Sequence, residues 1–230
     1  MGRVVKLAKV RKSELIDCAE ALFFAHGYEN TTVADIIARA GVSKGGFYHH
    51  FASKEELLDA LVERWTGQTI AAGLDVLEDN SLDALTKLNR FLARGQQWKV
   101  QALPQMRSIH AALFHPLDEN LYQRVRRTAV AALGPVMTRV VEQGVREGVF
   151  DAPDPEIVGE LLLSLGNARL TILAEAFALV GKGEIRKAVA LLEARIRKEE
   201  MLVERVLAIK PGSVRLAEPG YVEKLLSALK

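Results

Sequence analysis

Along almost the whole chain apolar residues recur at the three- and four-residue spacing of an amphipathic helix, and no run alternates as a half-buried strand would. A first helix is predicted over about 9–25, with Leu15, Ile16, Ala19, Leu22 and Phe23 on one face and Gly27 ending it. A short second helix over about 33–39 buries Val33, Ile36, Ile37 and Ala40 and breaks at Gly41. A third covers about 43–49, and Ser53 opens a longer fourth that reaches about residue 77. Beyond Asn80 the helices lengthen to about 81–101, 104–115, 119–147, 154–180 and 184–209, with a short last one near 219–229. Pro104, Pro116, Gly148, the Pro153/Pro155 pair, Gly181/Gly183 and Pro211/Gly212 separate them, and Pro135 is expected to kink or divide the 119–147 helix. The pattern predicts an all-α protein. Residues 1–52 form a three-helix, helix-turn-helix domain, joined through the fourth helix to a larger helical bundle over 53–230.

Composition narrows this picture only a little. With 230 residues, 49% apolar and 26% charged, the chain has ample material for a core. The formal net charge is +2, yet Arg3, Lys6, Lys9, Arg11 and Lys12 all precede the first acid, Glu14, so the N-terminal arm is basic and suited to phosphates. A lone cysteine, Cys18, excludes an intrachain disulfide, and no metal-ligand spacing accompanies it. No secretory h-region appears, and runs such as 128–138 fall well short of the roughly 20 residues that span a bilayer. A cytoplasmic protein without a membrane partner is expected. Catalysis is not: GKGE at 181–184 lacks the phosphate-loop spacing, and His110 and His115 lie five apart and diverge on a helix. Neither cofactor nor metal is expected.

The chemistry concentrates in TTVADIIARAGVSKGGFYHHF, residues 31–51. Two short helices joined by a glycine turn form the unit that lays its second helix in a major groove. Thr32 with Asp35 three residues on makes a capping pattern for the second helix, Gly41 suits the turn, and Ser43 caps the third helix. Val42 and Phe47 face the core. Lys44, Gly45, Gly46, Tyr48 and His49 then face outward, while His50 is assigned to packing or capping. Two adjacent glycines cost a helix about 1 kcal/mol each against alanine, so their presence suggests close approach of an external surface. Lys54, in the first turn of the fourth helix behind a Ser53-x-x-Glu56 capping box, opposes the helix dipole unless an anion compensates.

The stretch GVSKGGFYHHFASKEELLDAL, residues 41–61, closely resembles the DNA-binding domain of the tetracycline-repressor (TetR) family. That resemblance implies a sequence-specific DNA-binding transcriptional regulator, with Tyr48 and Lys54 as phosphate clamps. Thr31 or Thr32 and Ser43 would be further phosphate contacts. Lys44, Gly45, Gly46 and His49 would be groove-facing base readers, although the family often carries threonine, serine or alanine where Gly46 stands.

The predicted helix over 157–180 is apolar on two faces. One carries Val158, Leu161, Leu162, Leu165, Ile172, Ala176 and Leu179; the other Leu163, Gly166, Leu170, Leu173, Phe177 and Val180. Burial on both sides is therefore expected. The resemblance implies that 157–180 and 184–209 build a homodimer interface, so that two recognition helices meet a near-palindromic operator. It also implies a ligand cavity among the central helices and repression relieved when a small ligand binds, with coupling through the fourth helix. Composition nominates Trp98, Met106, Ile109, His110, Leu113, Phe114, Asn167, Arg169 and Phe177 as its lining. Such a lining favours a largely apolar effector, hydrophobic or aromatic.

Overall fold

The computed structural model describes residues 8–113 and 119–227, the side chains at positions 8, 9, 24, 103–113, 119–122, 125, 167 and 170 excepted. The described residues form helices and connecting turns, with no strand. In chain order the helices are α1 (Ala8–His26), α2 (Val33–Ala40), α3 (Lys44–Tyr48), α4 (Lys54–Ala72), α5 (Leu74–Glu78), α6 (Ala84–Leu113), α7 (Glu119–Arg146), α8 (Pro155–Ala168), α9 (Leu170–Gly181), α10 (Ile185–Val206) and α11 (Tyr221–Ser227). They divide into two compact units. One holds the residues up to Arg64 together with those between Gln105 and Val125; the other holds Trp65–Pro104 and the residues from Arg126 onward.

In the first unit, α1, α2 and α3 pack their apolar faces with the start of α4. Leu15, Ala19 and Phe23 of α1, Ile36 of α2, Phe47 of α3 and Leu57 and Leu61 of α4 are all 0% exposed, which is the single continuous core that the helical spacing predicts. Charges fasten its rim. Arg64 bonds Asp17 and Glu20 of α1, and Arg124 of α7 grips Asp59 with Nε (2.8 Å) and Nη2 (2.5 Å), a two-pronged geometry available only to arginine.

The second unit has two apolar clusters. Ala84, Leu88 and Phe91 of α6 pack with Val136, Met137, Val140 and Val141 of α7, Val158 of α8 and Val203 of α10. Ala176 of α9, Ala188, Leu192 and Ile196 of α10 and Val222, Leu225 and Leu226 of α11 form the other. The 213–218 segment has no strand partner, and side chains of α6 and α10 supply its hydrogen bonds, Glu204 and Glu200 of α10 accepting from Val214 N (3.0 Å) and Leu216 N (2.8 Å). Asn89 donates to Ser213 O (2.8 Å) and accepts from Arg215 N (2.9 Å). Gln96 donates to Leu216 O (3.0 Å) and accepts from Glu218 N (2.9 Å).

Several predicted boundaries moved. The helices predicted over 81–101 and 104–115 are one, α6, which continues through Pro104 although a proline removes one backbone hydrogen bond. Likewise Pro135 lies inside an undivided α7. The fourth helix stops at Ala72, and at Gly73, which leads into α5, a β-carbon would lie 2.5 Å from Phe91 Cδ2. Finally, the predicted 154–180 helix is two, α8 and α9, parted at Arg169. By length and composition Pro155–Gly181 would reach across a membrane, and 12% of its apolar window is buried within the chain. Arg169, between α8 and α9, keeps helical dihedrals (φ −71°, ψ −18°), and Ile157 and Leu161 of α8 are exposed.

Candidate DNA-binding surface and ligand cavity

The helix-turn-helix forms from its local signals. Thr32 Oγ1 accepts from Asp35 N (3.2 Å) while Asp35 Oδ2 accepts from Thr32 N (2.8 Å), closing a reciprocal capping box at the start of α2. Hydrogen bonds from the Thr32 hydroxyl and N–H hold the Asp35 carboxyl below its ordinary pKa. Gly41 ends α2 at φ 61°, ψ 34°, a left-handed conformation that glycine adopts without a β-carbon penalty. Ser43 Oγ then accepts from Gly46 N (3.1 Å) to start α3, and Phe47 anchors that helix at 0% exposure. One side of α3 is thus fixed into the core, so the other must face out.

That outer side presents Ser43, Lys44, Gly45, Tyr48 and His49, all exposed, with Thr32 exposed nearby in sequence at the start of α2. Tyr48, 47% exposed, stands edge-on to Phe47 with ring centroids 5.3 Å apart, so its hydroxyl end is free for a partner. A β-carbon at Gly45 would meet nothing within 4 Å, so the fold itself does not require glycine there. At Gly46 the nearest atom would be Ser43 Oγ at 3.3 Å, which ties this glycine to the cap. His50 is half-buried against His49, ring centroids 4.9 Å apart; burial, then His49, Lys12 and Arg11, push its imidazole below the usual pKa. Burial also pushes up the thiol of half-buried Cys18, making it a poor nucleophile.

Two expected phosphate contacts have other occupations. Thr31 is 1% exposed and donates to Gly27 O (2.8 Å), so the surface hydroxyl of the pair is Thr32 alone. Lys54 does not wait for an external anion: its Nζ donates to Tyr28 O (2.9 Å) and lies 4.1 Å from the centre of the Tyr28 ring. That contact within the chain is not legible in the local pattern around Ser53. Ser53 does cap α4, accepting from Glu56 N (3.2 Å), but Glu56 answers the N–H of Ala52 instead of that of Ser53.

The second unit contains a cavity of about 340 Å³. Phe91, Leu92, Leu133, Met137, Leu162 and Leu163 form its apolar wall, and Gln96, Lys99, Arg169 and Tyr221 its polar part. Of the side chains nominated from sequence, Arg169 lines it. Trp98 does not, because α6 turns the next residue, Lys99, toward the space; Phe177 packs instead on the cluster around Leu192. Met106, Ile109, His110, Leu113, Phe114 and Asn167 lie outside the described side chains. Arg169 donates through both Nε (2.7 Å) and Nη2 to Glu199, which also accepts from Arg195 Nε (2.6 Å). Among the described residues no group of histidines, cysteines or carboxylates is arranged to hold a metal.

The family described as "Bacterial regulatory proteins, tetR family" matches residues 15–61. The HTH-type transcriptional repressor KstR2 of Mycobacterium tuberculosis (strain ATCC 25618 / H37Rv) is 39% identical over 167 residues, which cover 68% of this chain and 77% of the repressor. A TetR-family regulator from Syntrophomonas wolfei superposes with a TM-score of 0.60 at 21% identity, covering 81% of this chain and 95% of its own. The structure of RolR in complex with its ligand resorcinol does so at 0.58 and 19% identity, covering 95% and 94%. At those identities the two structures show a shared fold. Together with the capped helix-turn-helix and the 39% identity to a repressor over most of its length, they place this chain in the TetR family of bacterial regulatory proteins, as a DNA-binding transcriptional regulator and not an enzyme.

Proposed function

We propose that this protein is a homodimeric repressor that binds a near-palindromic operator through α3 and is released when a small, largely apolar ligand enters the cavity of the second unit. The outer face of α3 carries this reading: Lys44, Gly45, Tyr48 and His49 are exposed on a helix whose other side is locked by Phe47. Tyr48 contacts phosphate, Lys44 at the exposed start of α3 is assigned here to phosphate instead of to a base edge, and the bare backbone at Gly45 lets the helix start approach the groove. Thr32, Ser43, Gly46 and His49 complete the contact surface, and Lys54 takes part through an N–H left over from its bond to Tyr28 O. Replacing Lys44 and Tyr48 together by alanine is expected to abolish operator binding at physiological salt while leaving the melting temperature unchanged. Lys44→Ala alone is expected to lower the slope of log K against log salt by about 2 per dimer, one phosphate per half-site. A mobility shift on the upstream region of its own gene, run across a salt series, measures both. Unaltered binding by the double variant would remove the proposed interface.

Gly45→Ala separates folding from function. Because nothing lies within 4 Å of the new methyl, α3 is expected to gain up to about 1 kcal/mol in stability. Operator binding is expected to weaken, since the methyl would stand between backbone and DNA. A variant that melts higher and still binds fully would mean that DNA does not come close to this turn.

Dimerisation is supported by the uncovered apolar side chains of α8 and α10. Ile157 is 63% and Leu161 38% exposed on α8, and Met201 is 54% and Leu202 50% exposed on α10, which a second copy would cover. The resorcinol complex of RolR shows that a protein of this fold accommodates a small ligand, which is how the cavity here is read.

A further inference from the structure

We infer that the effector is an anion: a carboxylate on an apolar body, with Lys99 as its receptor. The inference rests on the reading of this cavity as the effector site and adds the charge that the effector must carry. Most of the wall is apolar, and no aspartate or glutamate is among the described residues that line it. Lys99 lines this cavity and its side chain is exposed. No hydrogen-bond or ion-pair partner for Lys99 occurs among the described residues.

The neighbours do not supply the missing negative charge. Arg169 is the second cation on the wall, and the carboxylate that holds it, Glu199, is shared with Arg195, so two guanidiniums divide one negative charge. Gln96 has spent both ends of its amide on Leu216 and Glu218. Burial pushes Tyr221 up to about 12, so its hydroxyl stays protonated and can donate to an anion. Desolvation on the cavity wall, then the charge of Arg169, push the pKa of the Lys99 ammonium down. An arriving carboxylate relieves that penalty, accepting from Lys99, with Tyr221 and the unspent nitrogen of Arg169 as further donors. Its hydrocarbon part then covers the leucines and Phe91.

Titration calorimetry of the full chain with octanoate, decanoate and dodecanoate, each against its own alcohol, tests this. The carboxylate is expected to bind about ten- to a hundredfold tighter than the alcohol of the same length, the range for a hydrogen bond to a charged group. Lys99→Met is expected to erase that preference and to melt no lower than the parent, since it removes an unpaired cation; Lys99→Arg is expected to keep the preference. Equal affinity of acids and alcohols, or a preference that survives Lys99→Met, would overturn the anion and leave the cavity as the effector site. If neither series binds at any length, the effector reading of the cavity falls as well. The DNA-binding proposal stands or falls separately, on the variants of α3.

Discussion

Replacing Phe47 by alanine is expected to unfold the helix-turn-helix and with it to abolish DNA binding. Phe47 is wholly buried, packs edge-on to Tyr48 and lies 6.1 Å, centroid to centroid, from Phe51. Removing a buried phenyl ring costs about 3–5 kcal/mol, combining lost transfer energy with the cavity left behind. The helix that loses its anchor, Lys44–Tyr48, has only 5 residues, too few to persist without tertiary support. Phe47→Leu keeps most of the volume and is expected to cost under about 1.5 kcal/mol. Urea denaturation gives both values, and hydrogen exchange of amides across residues 15–61 shows where protection is lost. An alanine variant with parental stability would mean that α3 is held by something other than this ring.

Glu199→Ala is expected to be comparably damaging in the second unit. The carboxylate is 1% exposed and accepts from Arg169 and Arg195 together. Cutting one partner out of a buried ion pair costs about 3–5 kcal/mol, because the charge left behind has neither water nor a counter-ion. The lower end is expected here, since the side chain of Arg195 is 33% exposed and can turn to solvent. Arg169, at 20%, has less freedom and would face the cavity beside Lys99. Glu199→Gln keeps an acceptor oxygen and should lose less. Adding Arg169→Met to Glu199→Ala should recover part of the loss, and a double-mutant cycle in urea measures that coupling. Strict additivity of the two changes would show that Arg169 and Glu199 do not depend on one another.

The features read most directly from sequence are those decided within three or four residues. The Thr32/Asp35 box, the Gly41 turn and the Ser43 cap form as expected, because each joins a side chain to backbone within a single helical turn. The periodicity of α1 and α2 likewise identified Leu15, Ala19, Phe23 and Ile36 as core, since a period of 3.6 residues marks the buried face without reference to what covers it. An external partner suggested by Lys54 was a different kind of inference. It rested on the absence of a local counter-charge, and the partner that Lys54 has within the chain, the carbonyl of Tyr28, lies 26 residues away.

The sequence by itself thus determined that this chain is helical, where its short N-terminal helices begin and end, and that it carries a TetR-type helix-turn-helix with an outward α3. Only the tertiary structure decided which of Thr31 and Thr32 reaches the surface, that α6 continues through Pro104, and that the long apolar stretch divides at Arg169. It also decided that Lys99, and not Trp98, faces the cavity. These outcomes depend on which distant residues a helix packs against. Of two adjacent threonines, the one that is buried is the one that distant residues cover, which no local period records.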